Sequence, residues 1–420
     1  MANGKMPAAM DWERRKHGLF LTEEGNRMLQ TGSLDCKPGQ QVFVYVPGSR
    51  WENVQGTDHR LAAALASQVA VLWVDPPLPV HLAFRHGINA LRVRNELSNV
   101  APGITRLRSL SIPGFTRAVL ATVAKGVLGH AIRSALRTMK ATPVAVMVSS
   151  PTSGFPTRLA GRKILFVTDD WVAGAPLMGL SGPLVRRTLR RNLREANIAA
   201  AVSPHLAENL EASFPDRPAS VVVLPNGCDP GKDAPLRVER SDNAALVGQL
   251  NERLDMDLLE AVTDAGVPLL VIGPRTERDP ETGRRLDLFL ASENVTWLGE
   301  LPTTELGQHL AAAGVGLTPY ADTPFNRASF PLKTLEYLAA GVPVVATDLP
   351  AVRWLNTELV TVGSGRDEFA KRVQQALAGP HDPLAEEQRR HFAALHTWEA
   401  RANQLLDMVG PHGQAGGMAA

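Results

Sequence analysis

Short apolar runs of three to six residues, rich in Val, Ile, Leu and Ala, recur along the chain and alternate with longer stretches whose apolar positions follow a helical period. Runs apolar at every position read as strands buried on both faces, and their alternation with helices is the pattern of a parallel sheet with crossover helices. A first set lies at 42–46, 69–74, 144–148, 164–167, 198–202 and 221–224, with a helix expected at 58–68 after the turn Pro47-Gly48-Ser49. A second set lies at 244–247, 269–272, 295–298, 315–317 and 342–346, and a terminal helical run covers 386–409. Between the sets, the polar, Pro- and Gly-containing stretch 229–243 reads as a linker. The expected fold class is α/β, with two doubly wound parallel-sheet (Rossmann-like) domains facing across a cleft. Its parts are an extension at 1–40, a first domain at 41–235, a second at 236–385, the 386–409 helix available to pack back on the first, and a Gly- and Ala-rich tail at 410–420. Ligands of such sheets sit beyond the C-terminal strand ends, so the site belongs in the cleft.

A length of 420 residues suits two domains. No apolar run approaches the ~18 residues that span a bilayer. The start mixes Lys5, Asp11, Glu13, Arg14, Arg15 and Lys16 with small residues and lacks the apolar core of a secretory signal. Two cysteines, Cys36 and Cys228, are too few for a disulfide framework or a Cys-based metal site. A cytoplasmic protein is expected. The net charge of +2 conceals an asymmetry, for residues 81–195 hold 18 Lys and Arg against 4 acids. Such a half is suited to an anionic partner: membrane phospholipid, a lipid phosphate or nucleic acid. Nucleic acid fits poorly, because aromatics are only 5% and no helix-turn-helix, zinc or RNA-platform motif accompanies the charge. The run 112–140 reads as a basic amphipathic helix, with Lys125, Arg133, Arg137 and Lys140 within about 120° of one another. Arg186, Arg187, Arg190, Arg191 and Arg194 make a second basic stripe, and both suit peripheral contact with an anionic membrane.

Candidate chemistry concentrates at 329–346. Pro331 opens a helix that Gly341 stops, and its first turn offers unpaired N–H groups and a partial positive charge to a phosphate. Lys333 adds a mobile cation and Ser329 a hydroxyl at the same end, and Glu336, on the same face as Lys333, is able to accept both hydrogen bonds of a ribose diol. Spacing alone equally describes a surface Lys and Glu pair. The whole string Pro-Leu-Lys-Thr-Leu-Glu-Tyr-Leu-Ala-Ala-Gly-Val-Pro-Val-Val-Ala-Thr, however, resembles the donor-binding signature of the GT-B glycosyltransferases, in the bacterial group 1 and teichuronic-acid-type family. Val247-Gly248-Gln249-Leu250, Val271-Ile272-Gly273-Pro274, Leu317-Thr318-Pro319-Tyr320 and Thr397-Trp398-Glu399 extend the likeness, which is specific over 244–402 and weaker before it.

The resemblance implies a metal-independent glycosyltransferase that moves a sugar from a nucleotide-diphosphate sugar, a substrate and not a cofactor, to an acceptor hydroxyl of a lipid-linked or cell-envelope glycan. It places Glu336 on the ribose, Lys333 and Ser329 on the diphosphate, and Gly248, Gly273 and Arg253 in the nucleotide-sugar site. Two positions depart from the family pattern. Ala328 stands where a second Glu meets the sugar, and Gln249 where an Arg is usual, so that Arg253 serves only with a shifted loop. The alternatives are a nucleotide-sugar epimerase of the same fold and a catalytically inactive relative. Asp255-Met256-Asp257 has the spacing of a metal-nucleotide motif but opens a helical run, where acids favour the helix dipole. No metal ligand set is expected. Transfer also calls for a base in the first domain. Asp169 and Asp170 follow the 164–167 strand, Asp170 being preferred because Asp169 has the capping place, and Trp171 is placed to line a sugar site. His59, after the loop Gly56-Thr57-Asp58, is a second acceptor-side candidate beside a packing role in the first helix.

Overall fold

The computed structural model describes residues 37, 39–53, 55–79, 96–111, 118–229 and 240–410. Most of the expected extension with Cys36, the start of the expected basic helix (112–117), the centre of the linker (230–239) and residues 411–420 of the tail lie outside the described residues.

The first ten strands are β1 (Gln41–Pro47), β2 (Ala70–Val74), β3 (Leu78–Pro79), β4 (Glu96–Ala101), β5 (Ile104–Arg108), β6 (Leu110–Ser111), β7 (Thr142–Ser149), β8 (Arg162–Val167), β9 (Ile198–Ala201) and β10 (Val221–Val223). Eight of them form one sheet in the order β10-β9-β8-β7-β1-β2-β5-β4, while β3 and β6 pair separately. Every neighbouring pair of the large sheet is parallel except the hairpin β4–β5. Its centre is apolar on both faces, with Val42 to Val46 essentially inaccessible to solvent, as a strand under helices on both sides requires. The chain runs outward from β1 to β2 and β5, then returns to place β7 on the other side of β1, so strand order reverses between β1 and β7.

Six further strands, β11 (Ala244–Val247), β12 (Leu269–Ile272), β13 (Val295–Trp297), β14 (Val315–Thr318), β15 (Val344–Thr347) and β16 (Val360–Gly363), build a wholly parallel sheet in the order β13-β12-β11-β14-β15-β16. One face packs Leu246, Val271 and Val315 against Leu259, Val262, Leu286 and Phe289 of the helices Met256–Asp264 and Pro280–Leu290. The first of these helices is capped by Asp255, whose carboxylate accepts from the N–H groups of Asp257 and Leu258, while Asp257 pairs with Arg285 at 2.5 Å. Both acids of that motif serve the helix.

Besides the short pair β3 and β6, several elements differ from the pattern expected of the sequence. The hairpin β4–β5 escaped the apolar signal because β5 buries Thr105 and Arg106, the latter bonded to Asp75 and Glu52. Strand β16, at the sheet edge, is buried only at its two ends, Val360 and Gly363, with Thr361 exposed between them. The terminal helical run is two helices, Pro383–Ala394 and Trp398–Val409, broken where Thr397 caps the second and His396 O accepts from Cys228 N at 2.8 Å. That last helix lies on the helix Thr57–Ala66, with Gln68 Nε2 donating to Asn403 Oδ1 at 2.6 Å and Gln404 Nε2 to Val223 O at 3.0 Å. Among the described residues no helix is long and apolar enough to cross a membrane.

Candidate functional site

Two adjacent strands of the second sheet end in bare backbone. Gly248 follows β11 with φ +143° and Gly273 follows β12 with φ +144°, conformations that side chains rarely adopt, and a Cβ on Gly273 would overlap the carbonyl oxygen of Gly248. Over this floor stands the N-terminal turn of the helix Leu332–Ala339, which starts after Pro331 and stops at Gly341 with φ +77°. A Cβ on Gly248 would stand 4.0 Å from Lys333 Cε. Lys333 Nζ and Glu336 Oε2 pair at 2.6 Å, their side chains 23% and 20% exposed, so the two groups satisfy each other. The helix is pinned to β11 from beneath. Tyr337 Oη accepts from Val247 N at 3.0 Å and donates to Ala245 O at 2.8 Å, and Gly316 on β14 leaves the room that the ring fills.

A second group joins the two halves of the chain. Arg253 lies over the rings of Tyr320 and Phe325, at 5.1 and 5.0 Å, and its Nε donates to Asn326 Oδ1 at 3.0 Å. Stacking and a hydrogen bond together fix the guanidinium plane. Ser329 Oγ donates to Phe325 O at 2.9 Å and stands beside Asp169, which follows the C-terminal end of β8 and feels the charge of Arg253. Burial pushes the Asp169 carboxyl up to about 6, against the opposing Arg253 charge and the neighbouring Thr168 and Ser329 hydroxyls. Asp170 is different. Its Oδ1 accepts from Val172 N and Ala173 N, at 3.1 and 3.0 Å, so Asp170 holds the capping place expected of Asp169, and the ground for preferring Asp170 as the base is lost.

On the acceptor side, His59 is buried between Trp51 and Trp73, ring centroids 5.1 and 4.7 Å away, with Nε2 at 3.1 Å from Trp51 O. Burial lowers its pKa, and the ring packs inside the first half as part of an aromatic wall. Trp171 is only 3% exposed and offers no open face to a sugar. The residue that sequence reasoning passed over is Asp58, one position before His59. It accepts from Tyr45 Oη at 2.9 Å, and burial raises it to about 6, against the neighbouring Ser149 and Tyr45 hydroxyls, with the Asp169 charge adding to the rise. An acid in the first turn after the β1 loop was the available signal. The structure thus brings together Gly248, Gly273, Lys333 and Glu336 in one group and Arg253, Ser329 and Asp169 in another; His59 and Trp171 belong to packing.

Ala328, one of the two departures from the expected pattern, is fully buried, and its backbone carbonyl accepts from Ser203 Oγ at 2.6 Å, which ties the short helix Pro324–Ala328 to the first half. The basic faces are also partly committed. Lys125 pairs with Glu195 at 3.1 Å and Arg133 donates to Thr157 O at 2.7 Å, leaving exposed Arg137 in the last turn of the helix Ala118–Met139 and Lys140 just past its end. On the helix Gly182–Glu195, Arg186, Arg187, Arg190 and Arg194 are exposed, Arg186 and Arg190 lying over the Phe214 ring and Arg194 pairing with Asp216.

Comparison with known proteins places this geometry. Residues 244–379 match the family model for glycosyl transferases group 1. A protein of Bacillus subtilis (strain 168), described as the teichuronic acid biosynthesis glycosyltransferase TuaH, is 25% identical over 264 residues, covering 58% of this chain and 65% of that protein, so the match spans less than two thirds of the relative. Among solved structures, sucrose-phosphate synthase of Thermosynechococcus elongatus superposes with a TM-score of 0.63 at 17% identity, over 88% of this chain and 98% of the other. WaaG, a glycosyltransferase of lipopolysaccharide biosynthesis, gives 0.58 at 14% identity, over 88% and 99%. These structures share the GT-B fold with this chain: two Rossmann-like domains.

Proposed function

We propose that this chain, which carries a group 1 glycosyltransferase domain at residues 244–379, moves a sugar from a nucleoside-diphosphate sugar to a hydroxyl of a lipid-linked or cell-envelope glycan. The observation that carries the reading is the Lys333–Glu336 pair standing beside the bare strand ends of Gly248 and Gly273. In this reading the diphosphate lies at the start of the helix Leu332–Ala339, held by backbone N–H groups, Lys333 and Ser329, while Glu336 takes the ribose hydroxyls. Arg253, fixed by its two rings, adds charge where the leaving diphosphate develops its own.

The acceptor meets this site from the first half. As its oxygen bonds to the anomeric carbon, the bond from that carbon to the phosphate oxygen breaks, and the nucleoside diphosphate leaves with the bonding pair. The hydroxyl proton goes to Asp169, whose half-buried carboxyl, unlike that of Asp170, caps no turn, and which returns the proton to water afterwards. A carboxyl raised to about 6 is still ionised at neutral pH yet more basic than a free one. Supporting the acceptor class is the description of the B. subtilis relative as a glycosyltransferase of teichuronic acid biosynthesis. The exposed Arg186, Arg187, Arg190 and Arg194 supply a face for the inner surface of the cell membrane, where a lipid-linked acceptor resides.

Labelled uridine, guanosine and thymidine diphosphate sugars, offered with membrane extract as acceptor, test the reaction. Label transferred to a glycan or lipid supports it, an isomerised donor makes the protein an epimerase, and unchanged donor with every sugar refutes both. Flotation with anionic and with zwitterionic vesicles tests the Arg face: salt-sensitive binding to the anionic set, lost in Arg186→Glu/Arg190→Glu, is expected, and equal binding to both sets would refute it.

A further inference from the structure

The turn that follows β8 reaches the second half of the chain. It is rooted at Asp170, whose carboxylate accepts from Val172 N and Ala173 N and whose carbonyl accepts from Gly174 N at 2.8 Å. Gly174 has no left-handed φ, so its backbone does not call for glycine. The Phe325 ring does: a Cβ on Gly174 would stand 2.4 Å from Phe325 Cε2 and 2.7 Å from Cδ2. That ring also lies 5.0 Å from the guanidinium carbon of Arg253, with the Tyr320 ring at 5.1 Å. Phe325 thus touches both the first half and the cation. A second route runs through Arg278, whose Nε donates to Leu177 O at 2.8 Å and whose Nη1 would stand 3.0 Å from a Cβ on Gly179. Glu252, the neighbour of Arg253, accepts from Asp279 N at 2.6 Å. The turn 170–180 therefore meets the loop that carries Arg253 both through Phe325 and through 278–279, and Asp169 directly precedes that turn.

Resting on the transfer reaction above, we propose that Gly174 is a positioning residue of that reaction: by admitting the Phe325 ring it fixes the Arg253 guanidinium where the leaving diphosphate develops its charge. The turn 170–180 of the first half in this way sets the cation of the second. Arg253 faces the diphosphate, and Gly174 acts on it only through the ring. A methyl group at 174 would have to push that ring back by about 1 Å or more before its carbons reached ordinary contact at about 3.5–4.0 Å. A guanidinium stacked on the ring and bonded to Asn326 Oδ1 at 3.0 Å then loses one of the contacts that orient its plane. A charge that acts as the sugar–phosphate bond breaks governs turnover more than donor affinity.

The test compares the full chain with Gly174→Ala, Arg253→Ala and the double variant. Two readouts are taken: transfer from the labelled donor to membrane extract, and the 15Nε signal of Arg253, assigned by its loss in Arg253→Ala. Gly174→Ala is expected to move the Arg253 signal and to lower turnover at saturating donor by about 10- to 100-fold, the scale of a misplacement near 1 Å. The donor KM should stay within about 2-fold of the wild type. In the Arg253→Ala background the same substitution should cost nothing further, because the group it displaces is gone. Phe325→Leu shortens the ring without a clash, so it should lower turnover by itself and make Gly174→Ala neutral, which keeps the proposal testable where Gly174→Ala folds poorly. Losses that add in the double variant overturn the proposal, and so does an Arg253 signal that Gly174→Ala leaves in place. A signal that moves in a protein transferring no sugar from any donor refutes the glycosyltransferase reading instead, and with it the role of Gly174 in catalysis.

Discussion

Glu336→Gln and Lys333→Ala should divide a nucleoside diphosphate into its two halves. The two side chains are bonded to each other at 2.6 Å and each keeps about a fifth of its surface in water, so the pair contributes at most about 1 kcal/mol to the unliganded protein. A hydrogen bond to a charged group contributes about 1.5–3 kcal/mol to binding, which is ~10- to 150-fold in Kd. Separating the pair offsets part of that in the wild type, and neither variant has a pair to separate. Lys333→Ala should therefore weaken pyrophosphate and the nucleoside diphosphate by ~10-fold or more, while a nucleoside without phosphate binds as well as before or slightly better. Glu336→Gln should do the reverse, weakening the nucleoside ~10-fold and sparing pyrophosphate. Calorimetry with nucleoside, nucleoside diphosphate and pyrophosphate reads each arm, and urea unfolding keeps stability in view, with a change of under ~1 kcal/mol expected for both. Equal losses for pyrophosphate and nucleoside in both variants would refute the division of labour. Unchanged affinities would remove the site from this helix.

Three further outcomes follow from the geometry. Tyr337→Phe removes both hydrogen bonds of that buried hydroxyl, from the Val247 N–H and to the Ala245 carbonyl, and urea unfolding should show a loss of about 1–3 kcal/mol; a smaller loss would mean that the helix Leu332–Ala339 is not pinned through that hydroxyl. Asp170→Ala removes an acceptor shared by two N–H groups of the following turn and should cost about 0.5–2 kcal/mol of stability, whereas Asp169→Ala should leave that turn intact; reversed costs would exchange the two roles. The raised Asp58 carboxyl makes the native state bind more protons than the unfolded chain between about pH 4 and 6, so this residue's contribution to stability falls as pH rises through that window. Asp58→Asn should accordingly gain on the wild type between pH 4 and pH 7.5 in urea unfolding, and a constant difference at both pH values would show that Asp58 titrates as a free carboxyl.

Strands β1, β2, β7, β8 and the central strands of the second sheet were legible because burial on both faces writes itself as an unbroken apolar run. Strand β5 was not, because its buried Arg106 finds its partners at Asp75 and Glu52, 31 and 54 residues away in sequence, and a local pattern holds no trace of them. The donor group was legible for the opposite reason. Gly248, Gly273, Lys333 and Glu336 each answer to a local demand, a strand end that must be bare or a helix turn that must carry charge. The comparison with group 1 glycosyltransferases covers the same stretch, 244–379.

The first half offers no such local rule, and Asp169 and Asp170 show why. Two adjacent carboxylates after a strand are equivalent in sequence, and what separates them is the direction the chain takes next. Here the turn beginning at Asp170 folds its N–H groups from Val172 and Ala173 back onto that residue's own carboxylate, so Asp170 is consumed by structure. Asp169 is left facing Ser329 and Arg253, both of which arrive from the other half of the chain. The closed approach that supplies them also buries Ala328 against the first half through the Ser203 bond. A Glu at 328 would have to place its charge in that packed seam at a cost of several kcal/mol, whereas Ala fills it. Ala328 fills this seam while its backbone carbonyl takes the Ser203 bond, and Arg253 is held beside it by Tyr320, Phe325 and Asn326. The turn at Asp170 and the approach of 324–329 to the helix that Ser203 caps together give the Asp169 carboxyl its setting.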